Sequence, residues 1–197
     1  MSKYIFLVLL SFGFCEALPA QEGYFNKSYE KVDRDIEVVI TPIGGDFALS
    51  DSTVKSIFVN NRKIEFQDFG KSKELVFNDN KLLSILNKIA SKEFKKKEIK
   101  QFPNLKNELT ADEFKYIKSK FKDADYLLIP VVFEVTNMGN IPKTFGNSVF
   151  RLYDLHTGQF ILWYKASLNV NVGENEGVIL LSKTFLGMVK GYIDENL

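Results

Sequence analysis

The sequence predicts an α/β (α+β) domain: a single mixed, largely antiparallel sheet with about three helices packed on one face. Two stretches with a two-residue apolar period, 124–135 and 148–172, write the sheet. Three segments with apolar residues three and four positions apart write the helices. About 177 residues follow position 20, enough for one domain with a full hydrophobic core.

The first twenty residues stand apart from that domain. Lys3 precedes an apolar run from Tyr4 to Phe14, followed by Cys15 and small residues up to Ala20. The run is too short to span a bilayer and suits the apolar region of a cleavable signal peptide. The chain is therefore expected to be exported, to the periplasm or outer envelope. Leu18-Pro19-Ala20 before Gln21 suits ordinary signal peptidase, whereas Phe12-Gly13-Phe14 before Cys15 is a relaxed lipobox. Both endings stay open, and lipidation at Cys15 would tether the protein to a membrane. With one cysteine in the chain, no intramolecular disulfide forms. Residues 1–20 thus read as a signal peptide, 21–35 as a flexible polar tether and 36–197 as one α/β domain.

The elements follow in order. Ile36 to Ile43 is an apolar strand closed by Gly44-Gly45. Val54–Val59 and Lys63–Phe66 flank Asn60-Asn61, a dipeptide that tolerates the positive φ of a hairpin turn. Leu75–Phe77 reads as a further short strand. From Asn80, Leu82, Leu86, Ile89, Ala90 and Phe94 recur at helical spacing. Thr110-Ala111-Asp112-Glu113 is a capping box, with Leu109 and Phe114 placed as a hydrophobic staple. Phe114, Ile117 and Phe121 then form that helix's apolar stripe.

In 124–135 the odd positions from Leu127 to Val135 are apolar. Pro130 lacks an N–H, so an edge or a bulge is expected there. An irregular loop with Gly139, Pro142 and Gly146 follows. In 148–172, Phe160, Leu162, Tyr164, Ala166, Leu168, Val170 and Val172 share one face, opposite Lys165, Ser167, Asn169 and Asn171. His156-Thr157-Gly158 makes the turn within this stretch, with Gly158 left-handed. The turn pairs Leu155 with Gln159, Tyr153 with Ile161 and Arg151 with Trp163. Those last four lie on the face away from the helices, where Arg151 can stack on Trp163. A final helix begins near Asn175 and buries Val178, Leu181, Phe185, Met188 and Tyr192.

Charge and chemistry exclude more than they select. Lys plus Arg is 26 and Asp plus Glu 25, and removing Lys3 and Glu16 with the signal keeps the net at +1. That balance makes no case for nucleic acid or anionic lipid as the main partner. Lys88, Lys92, Lys95, Lys96, Lys97 and Lys100 sit at a helix end and read as a solvated face. His156 is the only histidine and occupies a turn, which leaves no context for a triad or a histidine metal site. Asp123 and Asp125 flank a helix-to-strand junction, where capping and solubility explain them. No catalytic residue, cofactor or metal ligand is assigned, although two distant carboxylates could still share a cleft.

VVITPI (38–43), ADYLLIP (124–130), RLYDLHTG (151–158) and Trp163 resemble a group of bacterial envelope proteins. The group includes the TolB amino-terminal domain, the curli secretion lipoprotein CsgG and the penicillin-binding-protein activator LpoB. The resemblance covers roughly residues 36–195. It implies a small α/β envelope module that binds proteins, often as a lipoprotein. The group usually has Gly where Pro130 stands, and no pore-forming segment is present here, so a channel role is not implied.

Two readings of function result. One is a non-catalytic protein-binding or assembly module whose partner is another envelope protein or itself. The other is a periplasmic ligand-binding or hydrolytic domain. For the first, the interface candidates are Arg151, Tyr153, Ile161 and Trp163, extended by Ile141 and Phe145. The competing expectation is that the 54–77 hairpin folds over these side chains.

Overall fold

Alternating apolar and polar positions make 124–172 the centre of one six-stranded sheet, with spatial order β1-β6-β5-β4-β2-β3. The strands are β1 (Ala20–Phe25), β2 (Ile36–Ile40), β3 (Ile64–Phe66), β4 (Tyr126–Asn137), β5 (Thr144–Asp154) and β6 (Phe160–Val170). The computed structural model describes residues 20–27, 29, 35–41, 50, 52, 54, 57, 64–92, 95–101, 109–137 and 143–197. Pairing is antiparallel from β1 through β4, and β2 runs parallel to both β4 and β3. The mixed, largely antiparallel sheet is the predicted one.

Five helices are described: α1 (Phe69–Asn78), α2 (Asn80–Ser91), α3 (Lys96–Ile99), α4 (Ala111–Lys120) and α5 (Glu174–Asn196). They do not share one face, which corrects that part of the expectation. One sheet face, with Val38, Leu128, Phe150 and Leu162, packs on Leu181, Phe185 and Val189 of α5. The other, with Val39, Leu127, Ile129 and Trp163, packs on Leu82, Leu86 and Ile89 of α2 and Ile117 of α4. The cause is visible in β2 and β4. Val38, Val39 and Ile40, like Leu127, Leu128 and Ile129, are all at most 1% exposed, so both faces need a cover. Each such side chain contributes about 1.5–3 kcal/mol on burial.

Several local expectations change. Residues 21–25, read as tether, pair with β6 as the edge strand β1. Leu75–Phe77 lies in α1, whose N-cap Asp68 accepts the Lys71 N–H. Ser52, Val54 and Ile57 are helical, and β3 pairs parallel to β2, so 54–66 does not form a hairpin. Asn60-Asn61 lies outside the described residues. A short run of Val and Ile fits either period, and here the crossover between parallel strands decides it. Phe145, Gly146 and Asn147, assigned to a loop, belong to β5.

Pro130 stands inside the sheet, in β4, rather than at its edge. Thr41 N–H donates to Leu128 O at 3.1 Å, and the next parallel bond would have to come from residue 130. Proline has no N–H to give, and the β2 pairing ends there. The β4–β5 register also shifts between Val132 and Glu134.

The helix ends carry their caps. Thr110 Oγ1 accepts the Glu113 N–H at 3.2 Å and Glu113 Oε2 accepts the Thr110 N–H at 2.9 Å. This is the predicted capping box. Thr110→Ala is expected to cost about 1 kcal/mol in a urea melt, with the denaturant slope unchanged. α5 begins one residue before its predicted start. A Cβ on its Gly177 would stand 2.5 Å from Thr144 Oγ1, so only glycine lets α5 descend onto β5 there.

Candidate functional site at the β5–β6 turn

The only histidine and two buried carboxylates meet where β5 turns into β6. Asp154 ends β5, and its Oδ1 accepts the N–H groups of His156 (2.6 Å) and Thr157 (3.0 Å). This is the turn an Asp residue makes with the backbone that follows it. Gly158 closes it at φ 74°, with the Phe114 ring 3.4 Å from where a Cβ would sit. Asp154 Oδ2 accepts the Tyr29 hydroxyl at 2.8 Å, and Tyr29 also contacts the Tyr126 hydroxyl at 2.8 Å. Burial, then bonding to Tyr126 and Asp154, pushes the Tyr29 phenol well above its ordinary pKa, so it remains a donor.

Asp125 opens β4 beside this turn. Its Oδ2 accepts the Glu37 N–H at 2.9 Å, while Oδ1 lies 2.7 Å from His156 Nε2. The His156 side chain is 53% exposed and that of Asp125 11%. Chemically the pair orients an imidazole with one nitrogen on a carboxylate and the other turned elsewhere, an arrangement suited to proton transfer. The same contacts have a structural effect, since Asp125 ties the starts of β4 and β2 to the turn and Asp154 closes that turn and anchors Tyr29. The neighbouring hydroxyl, Thr157 Oγ1, accepts the Gln159 N–H at 3.2 Å. Among the described residues no group of three or more His, Cys, Asp and Glu side chains could hold a metal ion.

The interface candidates lie elsewhere, and mostly inside. Arg151 is 3% exposed, Tyr153 1%, Ile161 0% and Trp163 7%. The anticipated aromatic patch is therefore core, which is a correction. Its cover comes from α2 and α4 together with Val76 of α1 over Tyr153 and Trp163, and with Val54 and Phe69 near Ile161, so the 54–77 stretch contributes, though not as a hairpin. Arg151 stands opposite Trp163 as expected, and its Nη1 donates to the Ile89 carbonyl in the last turn of α2. A guanidinium at a helix C-terminus is favoured by the exposed carbonyls and the dipole. The register shifts between Leu152 and Tyr153, so Tyr153 pairs with Phe160 rather than Ile161. Ile161 becomes the extra residue of a bulge and joins the α5 side, while Phe160 joins the α2 side. Phe145 is half-buried on β5. Ile141 and Cys15 lie outside the described residues.

The turn at His156-Thr157-Gly158 was expected, but Asp154 was not singled out, although its spacing to Thr157 and Gly158 is the signal of an Asx turn. The His156–Asp125 pair was not, because 31 residues separate its members. An open groove of about 350 Å³ runs beside β2, lined by Glu37, Gln67, Asp68, Lys71, Lys120 and Asp123. It mixes both charge signs, and the buried polar side chain in its lining, Ser72, donates to the Ile40 and Phe69 carbonyls.

No family model and no curated protein matches the chain. Solved structures with similarity include the PelC dodecamer from Paraburkholderia phytofirmans, at 11% identity and a TM-score of 0.45. That match covers 87% of this chain and 94% of the other. Lipoprotein GNA1162 from Neisseria meningitidis matches at 11% identity and TM-score 0.43, covering 81% of this chain and 99% of that one. The hypothetical protein CT253 from Chlamydia trachomatis matches at 10% and 0.37, covering 68% and 71%. Likenesses at this level transfer no residue roles.

Proposed function

We propose that this chain is an exported bacterial envelope protein acting as a non-catalytic binding or assembly module, held to a membrane through Cys15. The observation that carries the reading is the filling of both sheet faces by the chain's own helices. A partner is then left the helix exteriors and two edge strands, the three-residue β3 and the six-residue β1, which pairs only with β6 among the described strands. Edge strands recruit extended segments through main-chain hydrogen bonds. The resemblance of ADYLLIP and RLYDLHTG to the TolB, CsgG and LpoB group supports the same reading. No described helix is long and apolar enough to cross a membrane.

Two measurements test it. The mature protein is expected to begin at Cys15 with added acyl mass, and Cys15→Ser to release it from membranes. A mature N-terminus at Gln21 removes the anchor from the proposal. A photo-crosslinking residue at Gln21, exposed on β1, is expected to form a protein adduct in the native envelope. Its failure to do so, with crosslinks obtained from other exposed sites, argues against β1 as the docking edge.

A second reading, a hydrolytic domain, has the Asp125–His156 pair in its favour. It requires turnover that His156→Gln abolishes without changing the melting temperature.

A further inference from the structure

The near-zero net charge hides a segregation. Residues 69–123, which supply α1 to α4, hold fourteen lysines against eight carboxylates and no arginine. That leaves twelve of the 26 bases and seventeen of the 25 acids for the rest of the chain.

Two of the eight carboxylates are engaged by lysines of the layer itself, while Glu74, Asp112 and Asp123 are exposed beside the exposed lysines. Asp79 caps α2, accepts the Tyr116 hydroxyl at 2.8 Å and lies 2.6 Å from Lys120 Nζ. Glu113 lies 2.8 Å from Lys88 Nζ. Led by those lysines, the contacts hold both carboxyls below their ordinary pKa, ionised and internally paired. Lys71, Lys73, Lys115, Lys118 and Lys122 remain exposed, and Lys81, also exposed, lies 4.1 Å above the Tyr116 ring.

One side chain in this layer is hard to explain by folding. Phe77 is 52% exposed, while its neighbour Val76 is fully buried and makes α1's inward contact. Lys73 precedes Phe77 by one helical turn, and Lys81 follows across the α1–α2 junction. An exposed phenylalanine flanked along the chain by Lys73 and Lys81, with one acid (Glu74) on the same turn, suits the boundary between headgroups and acyl chains. Lysines are mobile point charges that need no fork geometry, which fits a fluid anionic surface better than a structured phosphate site.

We propose that the α1–α2 junction and α4 form a contact surface for an anionic phospholipid bilayer, with Phe77 entering the headgroup boundary and the lysines holding it there. This goes beyond the export reading and does not depend on acylation at Cys15.

The test uses the full chain and Phe77→Trp, with vesicles of phosphatidylglycerol or phosphatidylcholine carrying brominated acyl chains. The apolar segment 4–14 can hold the chain on either vesicle, so binding alone is not the readout. Trp163, the one native tryptophan, is core and supplies the baseline. Position 77 is expected to be quenched and blue-shifted on phosphatidylglycerol but not on phosphatidylcholine. About 1 M salt should abolish the effect, because screening then acts within about 3 Å. Lys73→Glu, Lys81→Glu and Lys118→Glu together should weaken the contact on the order of 100-fold. An unquenched position 77 on phosphatidylglycerol, or equal quenching on both lipids, overturns the proposal. So does binding of dextran sulfate while position 77 stays unquenched on vesicles, which would identify a soluble polyanion as the occupant.

Discussion

Trp163→Ala is expected to destabilise the protein by roughly 3–5 kcal/mol, lowering the melting temperature by roughly 6–20 °C. The indole is 7% exposed, stacks against Tyr24 with ring centroids 5.7 Å apart, and belongs to the layer under α2 and α4. Removing it opens a cavity between the sheet face and the α2 and α4 layer, beside Tyr24. Thermal unfolding by circular dichroism checks the result. An unchanged melting temperature would return Trp163 to the surface and the aromatic patch to consideration as an interface.

Asp154→Ala is expected to cost roughly 2–5 kcal/mol, because it removes the acceptor of the His156 and Thr157 N–H groups and one of two partners of the Tyr29 hydroxyl. Its carboxylate serves His156 N–H, Thr157 N–H and the Tyr29 hydroxyl from a site 4% exposed. Asp154→Asn keeps one acceptor oxygen and is expected to lose less than half as much. Hydrogen exchange at the 156 and 157 amides separates this local effect from general weakening, since both should lose protection first. If the alanine variant melts like the parent, the turn does not depend on the carboxylate.

These two sites mark what the sequence disclosed and what it withheld. The 148–172 alternation and the HTG turn told that Arg151 faces Trp163, but not that Tyr153 pairs with Phe160 instead of Ile161. They could not tell which face stays wet, because β2 and β4 are apolar at consecutive positions and so need cover on both sides. Polar residues at Lys165, Ser167 and Asn169 suggested an open face, but they lie farther along β6 than the stretch next to Trp163. A single bulge at Ile161 also reversed the side on which Phe160 lies. Tertiary pairings such as His156 with Asp125 leave no local trace. Local chemistry fared better, since the Thr110 box needs only four consecutive residues.

The edge strand also sets an order of events. Tyr164 donates to Gln21 at 2.6 Å across 143 residues, and β1 lies against the last strand to be synthesised. A chain made from its N-terminus supplies β1 first, with its partner β6 among the last segments to follow. Closing so long a loop is slow relative to local structure. β1 therefore waits for β6 before it can pair, and the first strand made is among the last to join the sheet.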